Sequence, residues 1–270
     1  MFKRTKTSEI SFFTFVLFIS AFCFFLDLIC SMVIGVTTMG DGTSTEIHKL
    51  PFSVAIYNQL TFYSIWVLFI NVFYAIYRIM LNDRKYIYGT KMQEGHWSDL
   101  LIILINMVSF SLYTPTLIAS VVLQKGDLIA GAALDYQIVK SALEHVIMPP
   151  TITIYLLVFA RFQIDFKDFV SKRSWYAPLG VGIYGIYVIS LFGLSESFTF
   201  DEYMIRFPYM FIAPDKMTYF GTAGFALLAV VAHFGASVGV AWAFNKTVSR
   251  NVLIFNKKFN INTEEEKIEA

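Results

Sequence analysis

A histidine inside an apolar stretch is the residue of this sequence best placed to do chemistry. His145 follows Lys140 and Glu144 and precedes Pro149 and Pro150 in a segment that is otherwise apolar. An ionisable side chain at the centre of a membrane span costs on the order of 2.5–3.5 kcal/mol, so such residues are functional candidates by default. Neutral imidazole can accept a proton from a hydroxyl near pH 7, and general base catalysis is the chemistry it would support.

The two prolines predict an irregular helix beside that histidine. Pro149 cannot donate a hydrogen bond to the carbonyl of His145, and Pro150 cannot donate one to the carbonyl of Val146. We therefore expect a bend with backbone acceptors left open next to the imidazole. A histidine satisfied between helices at an ordinary proline kink is an equally open structural explanation.

A short polar stripe in another apolar segment supplies a candidate nucleophile. Asn58, Thr61 and Ser64 recur every third residue, which places them on one helical face. A hydroxyl attacks only when a neighbouring base takes its proton, so a hydroxyl of this stripe would need a base such as His145 beside it. Asn58, Ser64 and Ser141 are candidates for binding substrate or an oxyanion. The structural alternative is hydrogen bonding between helices, which is common for these residue types in membranes.

A third catalytic partner is not assigned by the sequence. Glu144 is adjacent to His145 and would point about 100° away from it around a helix, so it is a poor candidate for orienting the imidazole. Asp27, in the first apolar segment, is a more speculative candidate. It either faces a polar interior or is tolerated near the outer interface of the membrane.

The composition is that of a membrane protein. Of the 270 residues, 56% are hydrophobic and only 15% are charged, which is not the balance of a soluble globular chain. The formal net charge of +1 gives no electrostatic reason to expect nucleic acid as a partner. No zinc-ligand spacing is present, and we expect neither a metal nor a cofactor.

Apolar segments of membrane-spanning length predict an all-α bundle of six transmembrane helices in one domain, residues 1–250. The predicted spans are about 12–36, 56–80, 100–123, 137–160, 177–194 and 217–244. Residues 251–270 end in an acidic run and are predicted to form a polar, disordered cytoplasmic tail.

Basic residues predict the orientation of the bundle. Most of the 21 Lys and Arg residues fall on one side of six spans. Those on the other side are Lys49, Lys125, Lys140, Arg206 and Lys216. The positive-inside rule then places both termini in the cytoplasm. In this orientation Thr61 and His145 share the outer half of the membrane, about 8 and 12 Å below its outer boundary.

Three stretches together resemble a known family. Residues 59–66 (QLTFYSIW), 143–150 (LEHVIMPP) and 206–221, with its Phe-Pro-Tyr and later Pro, are similar in order and spacing to segments of the androgen-induced and androgen-dependent TFPI-regulating membrane proteins. The resemblance covers roughly residues 55–225. Phe207 stands where the family usually has tyrosine, and Pro149 adds a second proline to the histidine helix.

The resemblance implies an activity and its residues. Members of that family are intramembrane threonine hydrolases that cleave fatty acid esters of hydroxy fatty acids. Carried over, the nucleophile is Thr61 and the histidine is His145, with a lipid ester as substrate and membrane lipids around the protein. The alternative is a non-catalytic six-helix membrane protein, such as a substrate-binding transporter subunit, in which Lys140, Glu144 and His145 bind ligand. The sequence sets no oligomeric state.

Overall fold

The computed structural model describes residues 6–36, 47–81, 97–122, 135–159, 165–193, 197–208 and 214–259, and these are mostly helical. The helices are α1 (Lys6–Val33), α2 (Phe52–Leu60), α3 (Tyr63–Leu81), α4 (Trp97–Val122), α5 (Asp135–Ser141), α6 (Met148–Phe159), α7 (Phe166–Lys172), α8 (Tyr176–Phe192) and α9 (Pro214–Phe259). A π-helical segment, Ala142–Ile147, joins α5 to α6 and is called the π turn below. Two short strands, β1 (Ser197–Phe200) and β2 (Tyr203–Arg206), pair antiparallel.

Five stretches within the described residues are long and apolar enough to cross a membrane. They are Ser8–Val33, Tyr63–Met80, Asp135–Val158, Phe166–Phe192 and Phe220–Thr247. Ser98–Phe110 in α4 is a shorter apolar helix segment. The prediction of a helical, multi-pass membrane protein is therefore confirmed at this level, whereas a sixth span and the orientation remain predictions.

The second predicted span is not one continuous helix. It is divided at Thr61 and Phe62, where α2 ends and α3 begins. The expectation that Asn58, Thr61 and Ser64 form one uninterrupted helical stripe is therefore wrong. The hydroxyl of Thr61 bonds to the carbonyl of Asn58, three residues earlier, and such local side-chain bonds compete with the helical ladder.

The last helix runs further than the sequence predicted. The sequence predicts a disordered tail that starts at residue 251, but α9 continues to Phe259. An apolar run at residues 252–255 (VLIF) follows the end of the predicted span and favours continued helix over a polar coil. Residues 260–270 of the predicted tail lie outside the described residues. Near its start, α9 is kinked at Thr218, which has a φ of 64°.

A buried ion network holds α1, α3 and α4 together. The Arg78 guanidinium donates to Glu9 Oε1 from Nε at 3.0 Å and to Asp99 Oδ1 from Nη1 at 2.7 Å. Tyr74 also donates to Asp99. Glu9 is fully buried, and α1 extends to Lys6, before residue 12, at which the predicted span begins. Glu9, Tyr74, Arg78 and Asp99 together form this network.

A second polar contact fixes the register of α3 against α4. The side-chain amides of Asn71 and Asn106 exchange two hydrogen bonds, at 3.0 and 2.9 Å. Asn106 also donates to the carbonyl of Ile102 within its own helix. Reciprocal amide bonds satisfy polar groups that lipid cannot solvate. These amide bonds fix the position of the α4 face that carries Ser109, which follows Asn106 by one turn.

The β1–β2 hairpin lies across one end of α2 and α8. The Tyr57 ring stacks on Phe200 at a centroid distance of 4.4 Å, and Phe207 packs against Phe192 at 5.1 Å. Asp201 makes the turn with a φ of 51°, a conformation that aspartate tolerates better than most residues. The sequence predicted only a loop here.

Candidate functional site

His145 lies in the π turn, immediately before the two prolines. The backbone N–H of Met148 bonds to the carbonyl of Leu143, five residues earlier. The hydroxyl of Thr151 donates to the carbonyl of Ile147 at 2.7 Å. The irregularity predicted from the prolines is therefore a local widening of the helix, since Pro149 and Pro150 supply no N–H to the preceding turn. Single π turns occur frequently at functional sites.

A serine that the sequence analysis did not select holds the imidazole. Ser109 Oγ on α4 lies 3.0 Å from His145 Nδ1, and Ser109 and His145 are 1% and 5% exposed. This hydrogen bond orients the ring and leaves Nε2 as its second site of proton exchange. Asn106 and Ser109 are three residues apart in an apolar helix, and that spacing was the available sequence signal.

Glu144 lies closer to the imidazole than its sequence position suggested. Its Oε2 is 3.6 Å from His145 Nε2. The prediction that the carboxylate points away rests on an α-helical turn. A π turn has more residues per turn and winds less at each step, so the carboxylate lies nearer to the ring than that geometry gives. No hydrogen bond joins the two groups among the described residues, which agrees with the prediction that Glu144 is a poor partner for orienting the imidazole.

Asp27 faces the protein interior, which answers the question left open by the sequence. Lys140 Nζ lies 3.5 Å from Asp27 Oδ2 and 3.2 Å from Glu144 Oε2. The lysine thus connects α1 to the histidine segment. Asp27, Lys140, Glu144 and His145 form a group called the intramembrane charge cluster below. Paired ionisable groups facing the interior of a bundle are typical of functional positions in membrane proteins.

Thr61 is completely buried at the break between α2 and α3. Its hydroxyl donates to the carbonyl of Asn58 at 2.6 Å. Side chains from two helices satisfy the carbonyls that the break exposes. The Tyr184 hydroxyl donates to the Thr61 carbonyl at 2.5 Å, and Trp66 Nε1 donates to the Leu60 carbonyl at 3.0 Å. The break is therefore a stabilised feature of the fold.

The π turn that carries His145 packs against α3, which begins two residues after Thr61. Leu143 of the π turn joins a cluster formed by Cys23 on α1 with Ile65 and Leu68 on α3. Among the described residues no hydrogen bond joins Thr61 to His145 directly. Of the other predicted site residues, Asn58 and Ser64 are buried near the break, and Ser141 is buried at the start of the π turn. None of these three is hydrogen-bonded to the imidazole within the described part of the chain.

Gln59 is a second residue that the sequence analysis did not select for the site. Its side chain is 1% exposed, yet neither Oε1 nor Nε2 has a hydrogen-bond partner among the described residues. A buried amide without partners costs about 1–3 kcal/mol, so such groups call for an explanation. Gln59 lies two residues before Thr61, where an unpaired N–H donor could bind a substrate oxygen.

The Tyr184→Phe variant is expected to lower the free energy of unfolding in detergent by about 1–3 kcal/mol, because the buried Thr61 carbonyl loses its donor. Tyr187→Phe is the matched control. Tyr187 lies on α8, as Tyr184 does, and its ring packs on that of Trp66 at a centroid distance of 5.4 Å. Its replacement is expected to change stability less. Equal effects of the two variants would contradict a specific role for the Tyr184 hydroxyl.

Within the described ranges, no group of three or more His, Cys, Asp or Glu side chains is arranged to hold a metal ion. The helices and their apolar length define the class, a multi-pass membrane protein. Comparison with protein-family models, curated proteins and solved structures finds no match to this chain.

Proposed function

We propose that the protein is an intramembrane hydrolase of lipid esters of the fatty acid–hydroxy fatty acid type, with Thr61 as nucleophile and His145 as general base. The observation that carries the proposal is the buried imidazole, oriented through Nδ1 by Ser109, in a π turn that packs against α3, the helix that begins two residues after the buried Thr61. A positioned base next to a hydroxyl is the arrangement that nucleophilic catalysis requires. The bundle has six spans with both termini in the cytoplasm.

The proposed hydrolysis proceeds in two stages. His145 takes the proton of the Thr61 hydroxyl as the oxygen attacks the ester carbonyl carbon, and it returns that proton to the departing alcohol. Water then attacks the acyl-threonine carbonyl carbon as His145 takes its proton, and the imidazolium returns that proton to the Thr61 oxygen as the fatty acid leaves. The Thr61 hydroxyl must first exchange its bond to the Asn58 carbonyl for one to the imidazole.

Charge on the ester oxygen needs donors in this dry site. The Gln59 amide is the strongest candidate, because its Nε2 is buried without a partner in the described structure. Asn58 and Ser64 remain further candidates beside the helix break. One such donor contributes about 2.7–4 kcal/mol to stabilising a developing oxyanion in a well-studied hydrolase.

A fluorophosphonate probe tests the nucleophile directly. Protein purified in detergent is treated with the probe, digested and mapped by mass spectrometry. Labelling at Thr61 is expected, as is its loss in Thr61→Ala and in His145→Ala. Because Ser109 is the hydroxyl bonded to the imidazole, Ser109→Ala is expected to weaken the labelling of Thr61 without moving it to another residue. Labelling at Ser109 would instead overturn the choice of nucleophile.

The intramembrane charge cluster favours a second function, a ligand-binding subunit of a small-molecule transporter. Lys140 and the two carboxylates beside it could bind a charged ligand in an outward-facing cavity. This function predicts co-purification with an ATPase module, with no probe labelling and no hydrolysis. Ester turnover that depends on Thr61 would exclude it as the main activity.

A further inference from the structure

The intramembrane charge cluster contains more acidic than basic groups. Asp27 and Glu144 both lie against the single ammonium of Lys140, at 3.5 and 3.2 Å. With both acids ionised and His145 neutral, the cluster would carry one uncompensated negative charge. Among the described residues, Lys140 is the one cation in contact with either carboxylate. A buried charge without a partner is costly and is relieved by neutralisation.

Glu144 is the carboxyl group least suited to carry that charge. Its side chain is 2% exposed, whereas that of Asp27 is 13% exposed. Neither oxygen of Glu144 has a hydrogen bond of normal geometry among the described residues, although Lys140 lies close to one of them. Buried carboxylates are normally held by several donors.

We propose that Glu144 carries a proton in the resting protein and that the cluster is a proton-binding site inside the membrane. Asp27 and Lys140 then form a neutral ion pair, and Glu144 is a neutral acid beside the imidazole. Its separation of 3.6 Å from His145 Nε2 allows a proton to pass between the two after a small movement. This inference does not depend on hydrolysis, because the protonation state is measured without substrate.

The groups around Glu144 are consistent with this assignment. From α1, Asp27 faces the same ammonium as Glu144 does. Lys140 and His145 reach it from its own helical segment. From α3 the neighbouring segment presents the apolar side chains of Ile65 and Leu68. From α4, Ser109 acts through the imidazole. A proton is the simplest cation that can balance this set.

Infrared spectroscopy of the purified protein at neutral pH tests the assignment. The wild type is expected to show the carbonyl stretch of a protonated carboxyl group, shifted in heavy water and absent from Glu144→Gln. Asp27→Asn is a second variant, which tests the charge balance of the cluster directly. It removes the other partner of Lys140, so Glu144 is expected to ionise, and the same band disappears although Glu144 is still present.

Glutamate labelled with carbon-13 keeps the test independent of whether either variant folds. The band of the labelled wild type is expected to shift. A wild type without a protonated glutamate band, or a band of equal intensity in the wild type and in folded Glu144→Gln, would overturn the proposal. Nitrogen-15 resonances that show His145 as imidazolium would also overturn it, since the proton would then lie on the ring. Absence of ester hydrolysis would affect only the proposed function.

Discussion

The His145→Ala variant is expected to hydrolyse lipid esters at least about 100-fold more slowly than the wild type, because general base catalysis contributes roughly 10²–10⁴-fold. The threonine hydroxyl then has no base for its proton, although the helix break at Thr61 is retained. Turnover is measured by mass spectrometry with purified protein in detergent and a panel of fatty acid esters of hydroxy fatty acids. Thr61→Ala is expected to give a loss of similar size.

His233 supplies the matched control for this experiment. It is a second buried histidine in an apolar helix, and its Nδ1 bonds to the Ala229 carbonyl of the same helix at 2.7 Å. His233→Ala is expected to leave turnover near the wild-type value. Equal losses in His233→Ala and His145→Ala would indicate general damage to the bundle, and unchanged turnover in both would remove the catalytic role of His145.

The second large effect concerns stability. Arg78→Met is expected to lower the free energy of unfolding by about 3–5 kcal/mol, because it removes the guanidinium that the buried carboxylates of Glu9 and Asp99 share. Arg78 is 1% exposed and Glu9 is fully buried, so water cannot replace the guanidinium. Denaturant unfolding in mixed micelles, followed by tryptophan fluorescence, measures the change.

An exposed ion pair provides the comparison for Arg78. Lys172 and Asp168 lie in contact on α7, with side chains 71% and 32% exposed. Lys172→Met is expected to cost about 0–1 kcal/mol, as exposed pairs do. The combined variant Glu9→Gln, Arg78→Met and Asp99→Asn is expected to be more stable than Arg78→Met alone, since no unpaired charge is left. A combined variant that is less stable would contradict the electrostatic explanation.

Hydrophobic patterning made the helical membrane class predictable. A bilayer requires long apolar helices, and the segments containing Thr61 and His145 carry that signal regardless of their neighbours. The prolines also predicted an irregular turn at His145, because a missing N–H is a local property. These expectations needed no knowledge of which helices pack together.

The contacts of the site could not be obtained in the same way. Ser109 meets His145 only because α4 packs on the π turn. The break at Thr61 depends on hydroxyl and indole donors, Tyr184 and Trp66, that satisfy its carbonyls. Glu144 approaches the imidazole because the turn is π-helical instead of α-helical. Each of these depends on tertiary structure that spacing along one helix does not encode.

The aromatic hairpin has a consequence for how the proposed substrate arrives. Tyr57, four residues before the threonine, stacks on Phe200 of the hairpin, and Thr61 itself is fully buried, so an ester of the proposed kind would approach sideways from the lipid phase. Its supply would then follow its mole fraction in the bilayer, not its solubility in water. Diluting the substrate with inert phospholipid at constant bulk concentration should therefore slow the proposed hydrolysis.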